Sequence, residues 1–132
     1  MVHALDAICS LLKPGGALID LRPDGNPAEF CGYKGEDPIL LGHLDETDDY
    51  VEYRQAAQAM EKAIENRWFQ PQKRGEFDFV IHADSLEEMR DYLTTEWTDA
   101  VIPDEVWSNV RSWEPDSVAL REVVHIGILQ AV

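Results

Sequence analysis

Residues 4–21 read ALDAICSLLKPGGALIDL, and this stretch decides how the fold begins. Residues 13–16, KPGG, end a helix, because proline cannot continue the hydrogen-bond ladder and glycine accepts a positive φ. Residues 17–21, ALIDL, then predict a short and mostly buried strand. Before the turn, apolar residues recur at the spacing of a helix with one buried face: Ala4, Leu5, Ile8, Leu11 and Leu12.

The strongest helical signal lies between residues 47 and 64. Thr47, Asp48 and Asp49 offer side-chain acceptors to the free amides of a first turn. Upstream, residues 22–44 are rich in proline and glycine, and apolar patches at 29–33 and 38–44 predict a hairpin. The helix carries an apolar stripe that predicts a face packed in the core: Tyr50, Tyr53, Ala57, Met60 and Ile64.

The C-terminal part predicts two strands with helices between them. Residues 77–82 alternate at strand period, while Pro71 argues against a central strand position just before them. Residues 85–88, SLEE, match a capping box that opens a helix, and Pro103 lies in the first turn of another. Residues 120–132 predict a long terminal strand.

The composition describes a small acidic protein. Its 132 residues suit a single domain over residues 1–132, and the hydrophobic fraction of 45% is enough for a core. Acidic residues outnumber basic ones 26 to 11, and the formal net charge of −15 disfavours nucleic acid and anionic membranes as partners. No apolar run approaches the roughly 20 residues of a membrane span, and no signal peptide is expected.

The placement of cysteine and histidine argues against a metal site. Cys9 and Cys31 form no CxxC pair, and the four histidines are scattered. His82 and His125 lie on strands that are expected to pair, but they lack a third ligand, and the acidic run at 45–52 lacks the calcium-loop pattern. We therefore expect no metal, and two free thiols suit a reducing, cytoplasmic location.

The order of these elements, together with LLKPGG at residues 11–16, resembles the C-terminal half of a class I methyltransferase, the kind that uses S-adenosylmethionine. Residues 4–21 resemble that family's helix, turn and fifth strand, and residues 77–132 resemble the layout of its final strands. The resemblance implies an α/β protein with a partial Rossmann-like methyltransferase fold. Its small mixed sheet would have the order fifth, seventh, sixth strand, with the seventh antiparallel and helices packed on it.

The resemblance also implies that this chain has no methyl-donor site of its own. In that family a glycine-rich turn after the first strand and an acidic residue ending the second strand hold the donor. The closely spaced glycines of this chain are Gly15 with Gly16 and Gly32 with Gly35, and both pairs follow other kinds of element. No catalytic or cofactor-binding residue is therefore carried over, and no cofactor is predicted.

A strand edge is the feature that suggests a partner. The resemblance places residues 17–21 at an edge, because the family's fourth strand is missing. An apolar edge strand is an open template for hydrogen bonding to another chain. We expect a homodimer through this edge or through the adjacent helix face, and a different protein partner is the alternative.

Arg22, Asp24 and Asn26 are the candidate ligand contacts. They follow the end of the strand at 17–21, where ligands gather in open α/β sheets, and an arginine there can grip a carboxylate. The turn chemistry of residues 24–26 favours an ordinary surface loop instead. A second group of residues suits either a cavity or helices packed on a sheet, and we favour the core: Trp97, Trp107 and Trp113.

Three functions remain open at this point. The first is a non-catalytic module that dimerises or binds a partner. The second is the acceptor-side part of a larger or two-chain S-adenosylmethionine-dependent methyltransferase, because this chain alone lacks the donor half. The third is a domain that binds a small ligand beside Arg22.

Overall fold

The computed structural model describes residues 2–46 and 49–132, which form a mixed α/β structure with four helices and a five-stranded antiparallel sheet. The helices are α1 (Val2–Leu11), α2 (Asp49–Glu65), α3 (Leu86–Glu96) and α4 (Asp104–Trp113). The strands are β1 (Ala17–Pro23), β2 (Glu29–Lys34), β3 (Asp37–His43), β4 (Asp45–Glu46), β5 (Phe69–Ala83), β6 (Ala100–Val101) and β7 (Ser117–Ala131). Within the described ranges, no helix has the length and apolar content that a membrane crossing needs.

The terminal strand β7 organises the sheet. It pairs antiparallel with β1, from Ala17 opposite Gln130 to Pro23 opposite Val124, and it also pairs with β2 and β5. The predicted α/β class is confirmed. The expected mixed sheet is wrong, because neighbouring strands run antiparallel throughout. The predicted hairpin is confirmed as β2 and β3, which join the sheet through β2.

The described chain divides into two compact units, and each is described by itself. Unit 1 comprises Met1–Gly25, Asp49–Phe77 and Val124–Val132. Unit 2 comprises Asn26–Asp48 and Asp78–Val123. Neither unit is one continuous stretch of sequence, and the single domain over residues 1–132 stays a prediction.

In unit 1 the KPGG turn joins α1 to β1. The amide of Gly16 donates to the carbonyl of Lys13 at 2.8 Å, which closes a four-residue turn. Gly15 has a φ of 81°, and the proline before it has its φ fixed by its ring. This combination is typical of a type II turn, in which the third residue needs a positive φ. The local chemistry of four residues thus reverses the chain between helix and strand.

The core of unit 1 lies where α1 and α2 pack beside the sheet. On α2 the buried face is formed by Ala59, Met60 and Ala63, so the predicted stripe is only partly right. Tyr53 and Ala57 are half-buried instead. The face of α2 that packs in the core is the adjacent one, which carries the small residues Ala59 and Ala63. The predicted cap at Thr47, Asp48 and Asp49 and the predicted core position of Tyr50 lie outside the described residues or side chains. The buried residues of this core are Leu5, Ala59, Met60, Ala63, Phe69, Leu129 and Ala131.

The core of unit 2 is covered by α3 and α4. Ser85 caps α3 as predicted, since its hydroxyl accepts from the Glu88 amide at 3.1 Å. α4 lies close to β3, where the side-chain amide of Asn109 donates to the carbonyl of Leu41 at 2.7 Å. The three tryptophans pack against this core, as predicted. Its largest members are Phe30, Leu41, Leu44, Leu86, Met89, Leu93, Ile102, Val106, Val118 and Leu120.

Candidate functional site

Two of the three candidate ligand contacts line one groove. Arg22, near the end of β1, and Asp24, just after it, line a groove in unit 1. Asn26 belongs to unit 2 and is not among the residues that line this groove. Their roles as ligand contacts remain predictions, but two of them share one concave surface.

The groove has a volume of about 300 Å³ and lies between α2 and the sheet of unit 1. Its apolar wall includes Ala57, Met60 and Ile64 of α2 and Leu129 of β7. Such a volume is at the lower end of the range for small-molecule sites, which are mostly apolar with a few polar groups. The groove therefore offers a surface on which the apolar part of a small molecule can lie.

Charged side chains surround this apolar wall, and basic ones are concentrated here. Among the residues that the structure describes, four basic and three acidic residues line the groove. In the whole sequence, acidic residues outnumber basic ones 26 to 11. The groove is thus locally cationic on a strongly acidic chain. The basic residues are Arg22, Arg54, Lys73 and Arg74, and the acidic ones are Asp20, Asp24 and Glu61.

One of these cations is held in place by a neighbour on the same strand. Arg22 donates from Nε to Oδ2 of Asp20 at 2.9 Å, and both side chains are only partly exposed. Among the side chains that the structure describes, which leave out those of residues 1, 2 and 47–50, Arg54, Lys73 and Arg74 form no ion pair. Three positive charges at the groove therefore lack an ion-pair partner among the described side chains.

The other face of β1 is apolar and open. Successive strand residues point to opposite faces, so Asp20 and Arg22 face the groove while Ile19 and Leu21 face away. Ile19 is 65% exposed and Leu21 is 59% exposed. Ile128 and Ile126 of β7 lie opposite them in the ladder, and both also line the groove. We call Ile19 and Leu21 the open face of unit 1.

His82 and His125 have different described neighbours. His82 lies in unit 2, where its ring contacts that of Tyr33 at a tilt of 51° with the centroids 5.7 Å apart. His125 lies in unit 1, where Nδ1 is 3.1 Å from a carboxylate oxygen of Glu76. Over the described residues, no cluster of histidine, cysteine and carboxylate side chains is arranged to hold a metal.

Of the two cysteines, Cys31 has a raised pKa. Both carry free thiols, with Cys9 half-buried and Cys31 buried. Burial is the main cause that raises the pKa of the Cys31 thiol, and the negative charge of Glu29 adds to it. A raised pKa keeps the thiol protonated and weakly nucleophilic, so Cys31 behaves as a core residue.

Sequence reasoning missed the three cations that complete the groove. They lie on α2 and β5, far along the chain from Arg22. The adjacent pair Lys73 and Arg74 was a usable signal, because a dibasic step is unusual in a chain with so few basic residues. Arg54 gave no such signal, since an isolated arginine on a helix is ordinary.

Comparison with protein-family models, curated proteins and solved structures finds no match to this chain. No residue role or ligand is transferred from another protein. The edge of β1, the open face and the groove are the features of the molecule that bear on its function.

Proposed function

We propose that this chain is a methyltransferase-like half-fold without its own methyl-donor site, and that it serves as a non-catalytic module that dimerises through β1. Two observations support the likeness. The LLKPGG segment joins α1 to β1 through a tight turn, and β7 pairs with both β1 and β5. That neighbour order corresponds to the fifth, seventh and sixth strands expected from the resemblance. No residue of the described chain is assigned to catalysis.

The exposed edge of β1 carries the proposal. β1 is at one end of the strand order, and β7 is its one neighbour among the described strands. The outer amides and carbonyls of such a strand are an open template for another strand. Edge strands that stay unpaired usually carry charged residues, but this edge carries the exposed apolar residues Ile19 and Leu21. A second strand at this edge would pair the outer backbone groups of β1 and would also cover Ile19 and Leu21.

The sequence of β1 is self-complementary about its centre. When two copies pair antiparallel about Asp20, Ile19 of one lies opposite Leu21 of the other, and the reverse holds by symmetry. Such an isologous contact is the commonest way for identical chains to associate. It gathers four exposed apolar side chains on one face. On the opposite face the two Asp20 carboxylates lie directly opposite each other, and each is neutralised by Arg22 of its own chain, which reduces their repulsion. The occupant we propose for this edge is therefore a second copy of the chain.

Sedimentation of the purified chain over a wide concentration range tests the proposal. We expect a dimer, and we expect Leu21→Lys to be monomeric, because a lysine on an edge strand blocks strand pairing. Val51→Lys is the matched control: Val51 is 57% exposed on α2, so the change in charge and exposure is nearly the same. The control should remain dimeric.

Two further measurements distinguish a loss of pairing from a loss of folding. Circular dichroism establishes that Leu21→Lys is folded, and Ile19→Thr, which preserves a β-branched residue, should weaken the dimer without the added charge. S-adenosylmethionine should leave the dimer unchanged and should not bind. A wild-type chain that stays monomeric, or a folded Leu21→Lys that stays dimeric, would overturn the proposal.

A further inference from the structure

The groove of unit 1 combines an apolar wall with an excess of positive charge. Ala57, Met60 and Ile64 supply the wall, and Arg54, Lys73 and Arg74 supply charges that no described carboxylate pairs with. Like charges placed together repel one another, and an arginine or lysine releases most free energy when an anion accepts its hydrogen bonds. The arrangement matches an amphipathic anion better than a neutral or cationic molecule.

We propose that this groove binds a small organic carboxylate with an aromatic or aliphatic body. The carboxylate would lie among Lys73, Arg74 and the free end of the Arg22 guanidinium, whose Nε already donates to Asp20. The body would lie on the wall formed by α2. A volume of about 300 Å³ admits a molecule of this size.

The charge balance favours a carboxylate over a phosphate. Counting only the described Lys, Arg, Asp and Glu residues, the four basic and three acidic residues at the groove leave one net positive charge. A carboxylate carries one negative charge and neutralises it. A phosphate monoester carries nearly two at neutral pH, and the excess would face the field of a chain with net charge −15.

The groove and the proposed dimer contact use different side chains. Ile19 and Leu21 are not among the residues that line the groove, although Ile126 and Ile128 opposite them on β7 are. Ligand binding and strand pairing can therefore be measured separately, and failure of one leaves the other standing.

Nuclear magnetic resonance titration with 3-phenylpropanoate tests the site. Gly75 and Gly127 are residues of the groove, and their amide signals should shift on binding, while those of Gly32 and Gly35 in unit 2 should not. Acetate lacks the body, and 3-phenylpropanol and 3-phenylpropylamine lack the negative charge. All three should bind much more weakly than 3-phenylpropanoate, and phenyl phosphate should bind no more tightly.

A pair of lysine variants separates a local contact from a general effect of charge. Lys73→Gln removes a groove cation and should weaken binding roughly three- to tenfold, as expected for one charge-assisted contact near solvent. Lys62→Gln makes the same change in net charge on α2, outside the groove, and should leave binding unchanged. Arg22 is not used, because its removal would also leave Asp20 unpaired.

Four results would overturn the proposal. The first is no shift of the Gly75 and Gly127 amides at saturating concentrations of 3-phenylpropanoate. The second is an equal effect of the neutral alcohol, which would reduce the groove to an apolar surface. The third is equal weakening by the two lysine variants, and the fourth is tighter binding of phenyl phosphate, which would assign the site to a different class of anion.

Discussion

At position 42, a contact with a residue far away in the sequence restricts the residue type to glycine. It lies in β3 with a φ of 148°, and a methyl group added to it would lie 2.6 Å from Cγ2 of Val106 on α4. Gly15 also has a positive φ, but the KPGG turn around it makes that requirement readable from the sequence. The requirement at Gly42 depends on how α4 packs on β3. Pattern reasoning therefore finds the first glycine and misses the second.

Replacing Gly42 with alanine should destabilise the protein more than the same change at Gly35. Gly35 shares the positive φ, at 77°, but no atom lies within 4 Å of an added methyl group. The φ of 77° lies near the left-handed region that an alanine can adopt at a cost, whereas 148° lies far outside it, so Gly42→Ala adds both a larger backbone strain and the clash with Val106. We expect Gly42→Ala to lower the free energy of unfolding by about 1–3 kcal/mol more than Gly35→Ala. Equal urea midpoints for the two variants would contradict this account.

At the scale of elements, α2 marks the limit of prediction from periodicity. The helix itself was predicted from its apolar spacing, but the buried face lies along Ala59, Met60 and Ala63. The spacing argument gave weight to the large residues and overlooked the alanines, whose small size permits close contact with α1. Tyr53 and Ala57, which lie outside this buried face, line the groove. The candidate site was half-predicted for the same reason: Arg22 and Asp24 follow a predictable strand, whereas Arg54, Lys73 and Arg74 come from elements joined only by tertiary packing.

The start of α3 offers a test at this scale. The hydroxyl of Ser85 accepts from the Glu88 amide at 3.1 Å, and a carboxylate oxygen of Glu88 accepts from the Asp84 amide at 2.8 Å. Ser85→Ala should lower the free energy of unfolding by about 1 kcal/mol, because one free amide of the first turn loses its partner. Ser112→Ala is the control, since that hydroxyl donates to the carbonyl of Ser108 within α4 and caps no amide. Thermal melting should leave the control near the wild type, and a similar loss in both variants would argue against the cap.

For the whole molecule, the net charge of −15 and the apolar edge act against each other. Exposed Ile19 and Leu21 favour the pairing of two copies, whereas two chains of the same sign repel at long range. The repulsion acts over the Debye length, which falls from roughly 30 Å at 0.01 M salt to roughly 3 Å at 1 M. Burial of apolar side chains has no such dependence on screening. The salt dependence of association therefore reports which of the two effects holds the dimer together.

We expect the dimer to strengthen as salt is added. Raising sodium chloride from 0.01 M to 1 M screens the repulsion between the two chains, and the dissociation constant measured by sedimentation should fall on the order of tenfold. Leu21→Lys should stay monomeric across this range, because screening does not restore the lost strand pairing. A dimer that weakens with salt would mean that ion pairs hold the interface. Asp20 and Arg22 would then be candidates to cross the twofold axis, and the apolar contact between Ile19 and Leu21 would not be what joins the two chains.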